Sequence, residues 1–293
     1  MVVPVQDETC QSYERRLANA NHLTIEHLRA HAGLRSGDSP TIHDLTILTG
    51  LPRRSLLLAL PELRSPETDP PLPLVGRIQN IRHRRDYRPA CRRCAAARAI
   101  TETVHTWVTN DQNVCLQHNI WIGARDDRVE DQADAAALPE VVAAQRRHHN
   151  LIRRHGRAEV AAAYDEAAHI TLRWTEQGYW AAARIGRLDT ATGHSNVRVN
   201  PNDPLLRLIN YPETVSLAGI LVSPYWRHLA AEAFPLTVSA EGSRFAEEVR
   251  RRTGIEDYEF MGPRDPLQQW CDRQRQEARF QAQRHSDGDH DRL

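Results

Sequence analysis

The sequence predicts a mainly α fold in three parts. These are an N-terminal helix-turn-helix region over residues 1–63, a small cysteine-bearing module over 75–123 and a C-terminal helical domain over 139–285, with a frayed polar tail at 286–293. Three observations carry this. Apolar residues recur at helical spacing between capping residues and glycine stops in the first sixty residues. A proline-dense stretch follows and separates them from a segment of short apolar runs flanking paired Cys and His. The remainder is Ala-rich with apolar anchors at helical intervals.

The elements follow in order. Ser12 to Ala20 places Tyr13, Leu17 and Ala20 on one helical face. Thr24 can cap a second helix with Ile25 and Leu28 inside, ended by Gly33. Ser39-Pro40 has the form of a cap followed by a first-turn proline, with Ile42, Leu45 and Leu48 at helical spacing and Gly50 as the stop. Pro52 opens a further helix, Arg53 to Leu60, which Pro61 closes. Helix, Gly-containing turn, helix is the helix-turn-helix order. Prolines 61, 66, 70, 71 and 73 then enforce an extended break. Val104, Trp107, Val108, Ile120 and Trp121 predict short strands, and 125–140 is an acidic connector. Helix is expected from Pro139 to Trp180, from Asp203 to Ala233 with breaks at Pro212 and Pro224, and over Glu241–Thr253 and Leu267–Gln283.

The chemistry-bearing pattern is Cys91-x2-Cys94, twenty intervening residues, then Cys115-x2-His118. A two-residue gap lets both side chains of a tight turn face one ion, and a second such pair completes a tetrahedron. The module is therefore expected to be zinc-ribbon-like, holding one structural Zn2+ through Cys91, Cys94, Cys115 and His118, with no open coordination position for catalysis. A redox Cys-x2-Cys would sit at a helix start in a βαβ context, which the sequence does not show. Cys10 and Cys271 have no partner spacing and are expected as ordinary buried thiols.

Composition bounds the rest. All 38 basic residues are Arg, balanced by 38 acidic residues. Codon usage accounts for the absence of Lys, so no function is read from it. Net charge is zero, but it is segregated: residues 76–98 hold eight Arg against Asp86 alone. No apolar run approaches the ~18 residues of a membrane span, and the odd Cys count fits a reducing, cytoplasmic compartment. No phosphate-binding loop, nucleophile elbow or paired-carboxylate spacing is present, so no enzyme is expected.

Two basic groups are candidates for nucleic acid. Arg53, Arg54 and Ser55 occupy the first turn of the second helix of the helix-turn-helix, where major-groove contacts are made. Arg82, Arg84, Arg85, Arg88, Arg92 and Arg93 surround the first knuckle and could neutralise several phosphates. The same residues also fit a solvated rim and a charged linker. A third cluster, Gln145 to His149 with Arg153 to His155, is expected as a solvated helix face.

The opening Glu8-Thr9-Cys10-Gln11-Ser12-Tyr13-Glu14-Arg15-Arg16-Leu17-Ala18-Asn19-Ala20-Asn21-His22-Leu23 resembles the start of TniQ proteins. Leu48-Thr49-Gly50-Leu51-Pro52 and the two knuckles follow in that family's order, so the resemblance covers about residues 7–123. It implies a DNA-binding adaptor in transposition target selection, related to TnsD, whose partners are DNA and an AAA+ transposition ATPase or guide complex. TniQ proteins often carry a further ligand pair, but no Cys lies between Cys115 and Cys271 here. The alternative is a stand-alone transcription regulator or protein-interaction scaffold.

Overall fold

The computed structural model describes residues 2–35, 37–64, 87–109, 111–123, 132–179, 182–193, 204–232, 240–255, 258 and 264–290. It is mainly helical and divides into two units, Met1–Ala133 and Asp134–Leu293.

Four short helices open the first unit. Helix α1 (Cys10–Ala20) is capped by Thr9, whose hydroxyl accepts the Ser12 amide at 3.1 Å. Helix α2 (Ile25–His31) is capped in the same way by Thr24. Helix α3 (Ile42–Thr49) does not start at Ser39-Pro40 as its sequence predicts. Thr41 is the cap, because Asp44 accepts the Thr41 amide at 2.8 Å while the Thr41 hydroxyl accepts the Asp44 amide. That reciprocal pair satisfies two orphan donors, which Ser39 could not. Gly50, at φ 68°, ends α3 and turns the chain into α4 (Arg53–Ala59), followed by a 3-10 turn at Pro61–Leu63. Tyr13, Leu45, Leu56 and Leu60 are wholly buried between these helices. The Arg64 guanidinium donates to the Leu57 and Leu58 carbonyls, both at 2.7 Å, and so satisfies the end of α4.

The cysteine module completes this unit. Strand β1 (Tyr87–Pro89) pairs antiparallel with β2 (His105–Trp107), and β3 (Val114–Cys115) with β4 (Ile120–Trp121). Helix α5 (Arg92–Ala96) lies between β1 and β2 in the chain. The N-terminal segment adds to the free edge of β2: Thr9 donates to the His105 carbonyl at 2.9 Å, and Trp107 donates to the Asp7 carbonyl at 2.8 Å. The helical region and the cysteine module thus share a sheet.

The opening motif holds that joint. Glu8 is fully buried, accepting from the Val5 amide at 2.8 Å and the Ser12 hydroxyl at 2.9 Å, with the Arg16 guanidinium at 3.2 Å. Burial pushes the Glu8 carboxyl up, and these three donors oppose the shift. Glu62 links the same regions by accepting the Cys10 amide at 2.7 Å and the Trp107 indole N–H at 2.6 Å.

The second unit is a helical bundle of α6 (Pro139–His155), α7 (Arg157–Glu176), α8 (Ala182–Thr192), α9 (Pro204–Leu221), α10 (Pro224–Glu232), α11 (Ala240–Thr253) and α12 (Pro266–His290). Gly156 divides α6 from α7 where a single helical stretch is expected from sequence. Helix α9 is the central element, packed against α6, α7, α8, α10 and α11. It is apolar on most sides, with Leu208, Ile209, Val215, Leu217 and Ile220 fully buried, as a core helix must be. Pro212 lies inside α9 and does not break it. In the turn that its ring interrupts, the buried Arg187 guanidinium donates to the Ile209 carbonyl at 2.8 Å. Among the described residues no single helix is long and apolar enough to cross a membrane.

A polar seam crosses this core. Arg187 donates to Glu213 at 2.5 Å, Arg184 lies 3.8 Å from the same carboxylate, and all three side chains are buried. Arg184 also donates to the Thr175 hydroxyl at 3.0 Å. Burial pushes the Arg184 guanidinium down to about 10.

Candidate metal centre and nucleic-acid interface

The two knuckles converge. Cys91 ends the turn after β1, Cys94 lies on α5, Cys115 ends β3, and His118 lies in the turn before β4. Their four ligand atoms all fall within 4.8 Å of one another. Cys94 Sγ is 3.6 Å from Cys115 Sγ, and His118 Nδ1 is 3.6 Å from Cys91 Sγ, 3.2 Å from Cys94 Sγ and 3.8 Å from Cys115 Sγ. A tetrahedral site with metal–sulfur bonds of 2.3 Å and metal–nitrogen bonds near 2.05 Å has edges of about 3.8 Å between sulfurs and about 3.6 Å from sulfur to nitrogen. The cluster therefore has the dimensions to hold a metal ion.

Two turns beside it carry left-handed residues. Asn119, at φ 51°, takes a left-handed conformation immediately after His118, and Ala99, at φ 56°, does so as the chain leaves α5. Left-handed geometry costs a non-glycine residue about 1–2 kcal/mol, so the local structure must hold both turns. Gln132 laces the first knuckle. Its side-chain oxygen accepts the Arg92 amide at 3.0 Å, and its amide nitrogen donates to the Pro89 and Ala90 carbonyls at 3.2 and 2.9 Å. No pattern in the sequence marks Gln132, Glu62 or Ser12 as partners of the cysteine module, because each acts across tens of residues.

The three thiols of the cluster strongly perturb one another's ionisation. A hydrogen bond from Cys91, with backbone donors at His118 and Gln117, holds the Cys115 thiol down at about 4. Cys91 is pushed up, first by that same hydrogen bond and then by burial. Burial foremost pushes Cys94 up. Three sulfurs this close repel one another as thiolates, so full ionisation requires a shared positive centre. Cys10 and Cys271 are buried elsewhere and take no part in the cluster.

The candidate nucleic-acid residues divide. Arg53, Arg54 and Ser55 are exposed at the first turn of α4, while Leu56 and Leu57 behind them are buried. Arg92 and Arg93 are exposed on α5 between the two knuckle cysteines, with Arg98 exposed just beyond. Arg88 is not on the surface expected for it. It is only 5% exposed and donates to the Asn113 side chain at 3.0 Å, tying β1 to the loop before β3. Arg82, Arg84 and Arg85 lie outside the described residues.

No curated protein matches the chain. No solved structure matches it either. The family model described as TniQ does, over residues 1–121. That span contains the Glu8 hub, the α3–α4 pair and all four cluster residues. The match covers 121 of the 293 residues, so the likeness to TniQ is a property of that segment.

Proposed function

We propose that the protein is a zinc-containing, DNA-binding adaptor of the TniQ type, acting in transposition target selection or a related act of DNA recognition, without an enzymatic role of its own. The observation that carries this is the Cys91–Cys94–Cys115–His118 cluster with Arg92 and Arg93 exposed between two of its ligands. Zinc is the ion that three sulfurs and one imidazole at these separations suit best. With four protein ligands its part is structural. It fixes the short strands and α5, which bury too little apolar surface to fold alone, and it supplies no reacting water.

On this reading the fixed α5 presents Arg92 and Arg93 to phosphates, with Arg82, Arg84 and Arg85 extending the same basic run. Arg53, Arg54 and Ser55 face the major groove, where Arg pairs with guanine edges. Its proposed partners are DNA and an AAA+ transposition ATPase or guide complex, a reading supported by the likeness of residues 1–121 to TniQ.

The test is duplex binding by the full chain across ionic strength, with metal content measured on the same preparation. Steeply salt-dependent binding that Arg92→Gln/Arg93→Gln weakens, in protein carrying one zinc per chain, is the expected result. A lack of binding at low salt, or binding indifferent to salt, would turn the assignment toward a protein-interaction scaffold.

A further inference from the structure

We propose that a second surface for the phosphate backbone of duplex DNA lies on α6, outside the segment matched to the family. Along this helix the exposed positions from its middle to its end are Arg146, Arg147, Asn150, Arg153 and Arg154. They recur at intervals of three, four and seven residues and so form one continuous stripe. The opposite side, Val141, Val142, Ala144, Gln145 and His148, is buried in the bundle and fixes which face looks outward.

Four guanidiniums stand on this stripe, and among the described residues no carboxylate pairs with any of them. Arg147 donates to the Ser216 hydroxyl at 2.8 Å, Arg153 donates to the Asn150 side chain, and the nearby Glu159 is directed to Arg227. A favourable interaction with the helix dipole explains Arg153 and Arg154 in the last turn, but not Arg146 and Arg147 two turns earlier. Unneutralised Arg held at fixed spacing on a rigid helix is a polyanion surface.

The chemistry of the stripe selects the polyanion. It exposes no aromatic or large aliphatic side chain. A membrane surface would need an apolar face to insert, and a protein partner would need an anchor residue to bury. Phosphates need neither. From Arg146 to Arg154 the helix rises about 12 Å, on the order of three to four nucleotide steps of one strand.

The surface is independent of the metal cluster, and the experiment separates the two. Salt-dependent binding of a labelled DNA duplex by the full chain is measured for three proteins: the wild type, Arg146→Gln/Arg153→Gln/Arg154→Gln, and Arg92→Gln/Arg93→Gln. Arg147 is left intact because of its bond to Ser216. The α6 variant is expected to keep its thermal midpoint and to lower the log–log salt slope by about 0.9 per arginine, or about 2.7 for three. An unchanged slope in the α6 variant beside a reduced one in the Arg92/Arg93 variant overturns this inference and leaves the proposed function standing. The reverse pattern keeps the α6 surface and removes the knuckle from DNA contact. Binding of phosphatidylserine-containing vesicles in place of the duplex, lost in the α6 variant, also overturns it.

Discussion

The Ser12 hydroxyl accepts the His105 amide at 3.0 Å while donating to Glu8 at 2.9 Å, so one side chain on α1 closes a contact across 93 residues. Replacing it by alanine leaves the His105 N–H without this acceptor and removes one of the donors that Glu8 needs. Ser12→Ala is expected to lower unfolding stability by about 1–3 kcal/mol, measured by urea titration. A loss below about 0.5 kcal/mol would mean that water replaces the hydroxyl at both bonds.

The metal centre makes a sharper prediction. Cys94→Ser removes one ligand and is expected to abolish stoichiometric zinc and to lower the thermal midpoint. Cys271→Ser is expected to keep the metal, since Cys271 is buried in the second unit and takes no part in the cluster. Chelation of the wild type should reproduce the Cys94→Ser spectrum, because binding and folding are coupled in such modules. Equal zinc in all three preparations would show that the ligand assignment is wrong.

Gly123 follows β4 at a point where an added Cβ would lie 2.6 Å from the Trp121 ring and 2.8 Å from the Asn113 side-chain oxygen. Gly123→Ala must therefore displace either a buried indole or the partner of Arg88. The expected cost is about 1–3 kcal/mol, with a change in tryptophan fluorescence of the folded state. Wild-type fluorescence and stability in the variant would contradict this packing.

In the second unit, Glu213 faces two buried guanidiniums, at 2.5 Å from Arg187 and 3.8 Å from Arg184. Glu213→Gln leaves both positive charges inside without their shared acid, and is expected to destabilise the fold by about 3–5 kcal/mol. Circular dichroism during thermal unfolding reads the effect directly, and a midpoint within a degree of wild type would refute it.

The capping pair at α3 has a defined pH window. Hydrogen bonds from Thr41, first its hydroxyl and then its amide, hold the Asp44 carboxyl below the usual aspartate range. A carboxyl lowered in the folded state contributes stability above its unfolded pKa, and that contribution is lost as pH falls through the folded value. Thr41→Ala is expected to cost about 1 kcal/mol at neutral pH. The gap to wild type should narrow at acid pH, and a gap that widened there would invert the assignment.

Which parts of this architecture could be seen in the residues alone follows from the range of the forces. The knuckles were legible because chance seldom supplies two Cys/His pairs with the same two-residue gap, and the structure brings the four side chains together. The α3–α4 pair was legible through Gly50 and Pro52, which act on their own backbone. Trp107, Ile120 and Trp121 signalled β2 and β4, whereas β1 and β3, at three and two residues, are too short for alternation to show. Arg88 looked like a phosphate contact because its neighbours are basic, yet its direction is decided by Asn113, 25 residues away. Pro212 looked like a helix break because proline does break isolated helices, and only the packed surroundings of α9 overrule it. Arg184, Arg187 and Glu213 lie on α8 and α9, and no local rule reveals that they meet inside.

The pairing of residues 7–9 with residues 105–107 has a consequence for biosynthesis. The opening segment leaves the ribosome first but has no strand to join until Trp107 has emerged. At about 5–20 residues per second, that is a wait of roughly 5–20 s, during which α1 can pack on α2 to α4 while residues 7–9 still lack their strand partner. Pairing of the amino-terminal segment is therefore a late step, and a transcript cut short before Trp107 yields a product whose first helices can pack on one another but whose residues 7–9 have no strand to join.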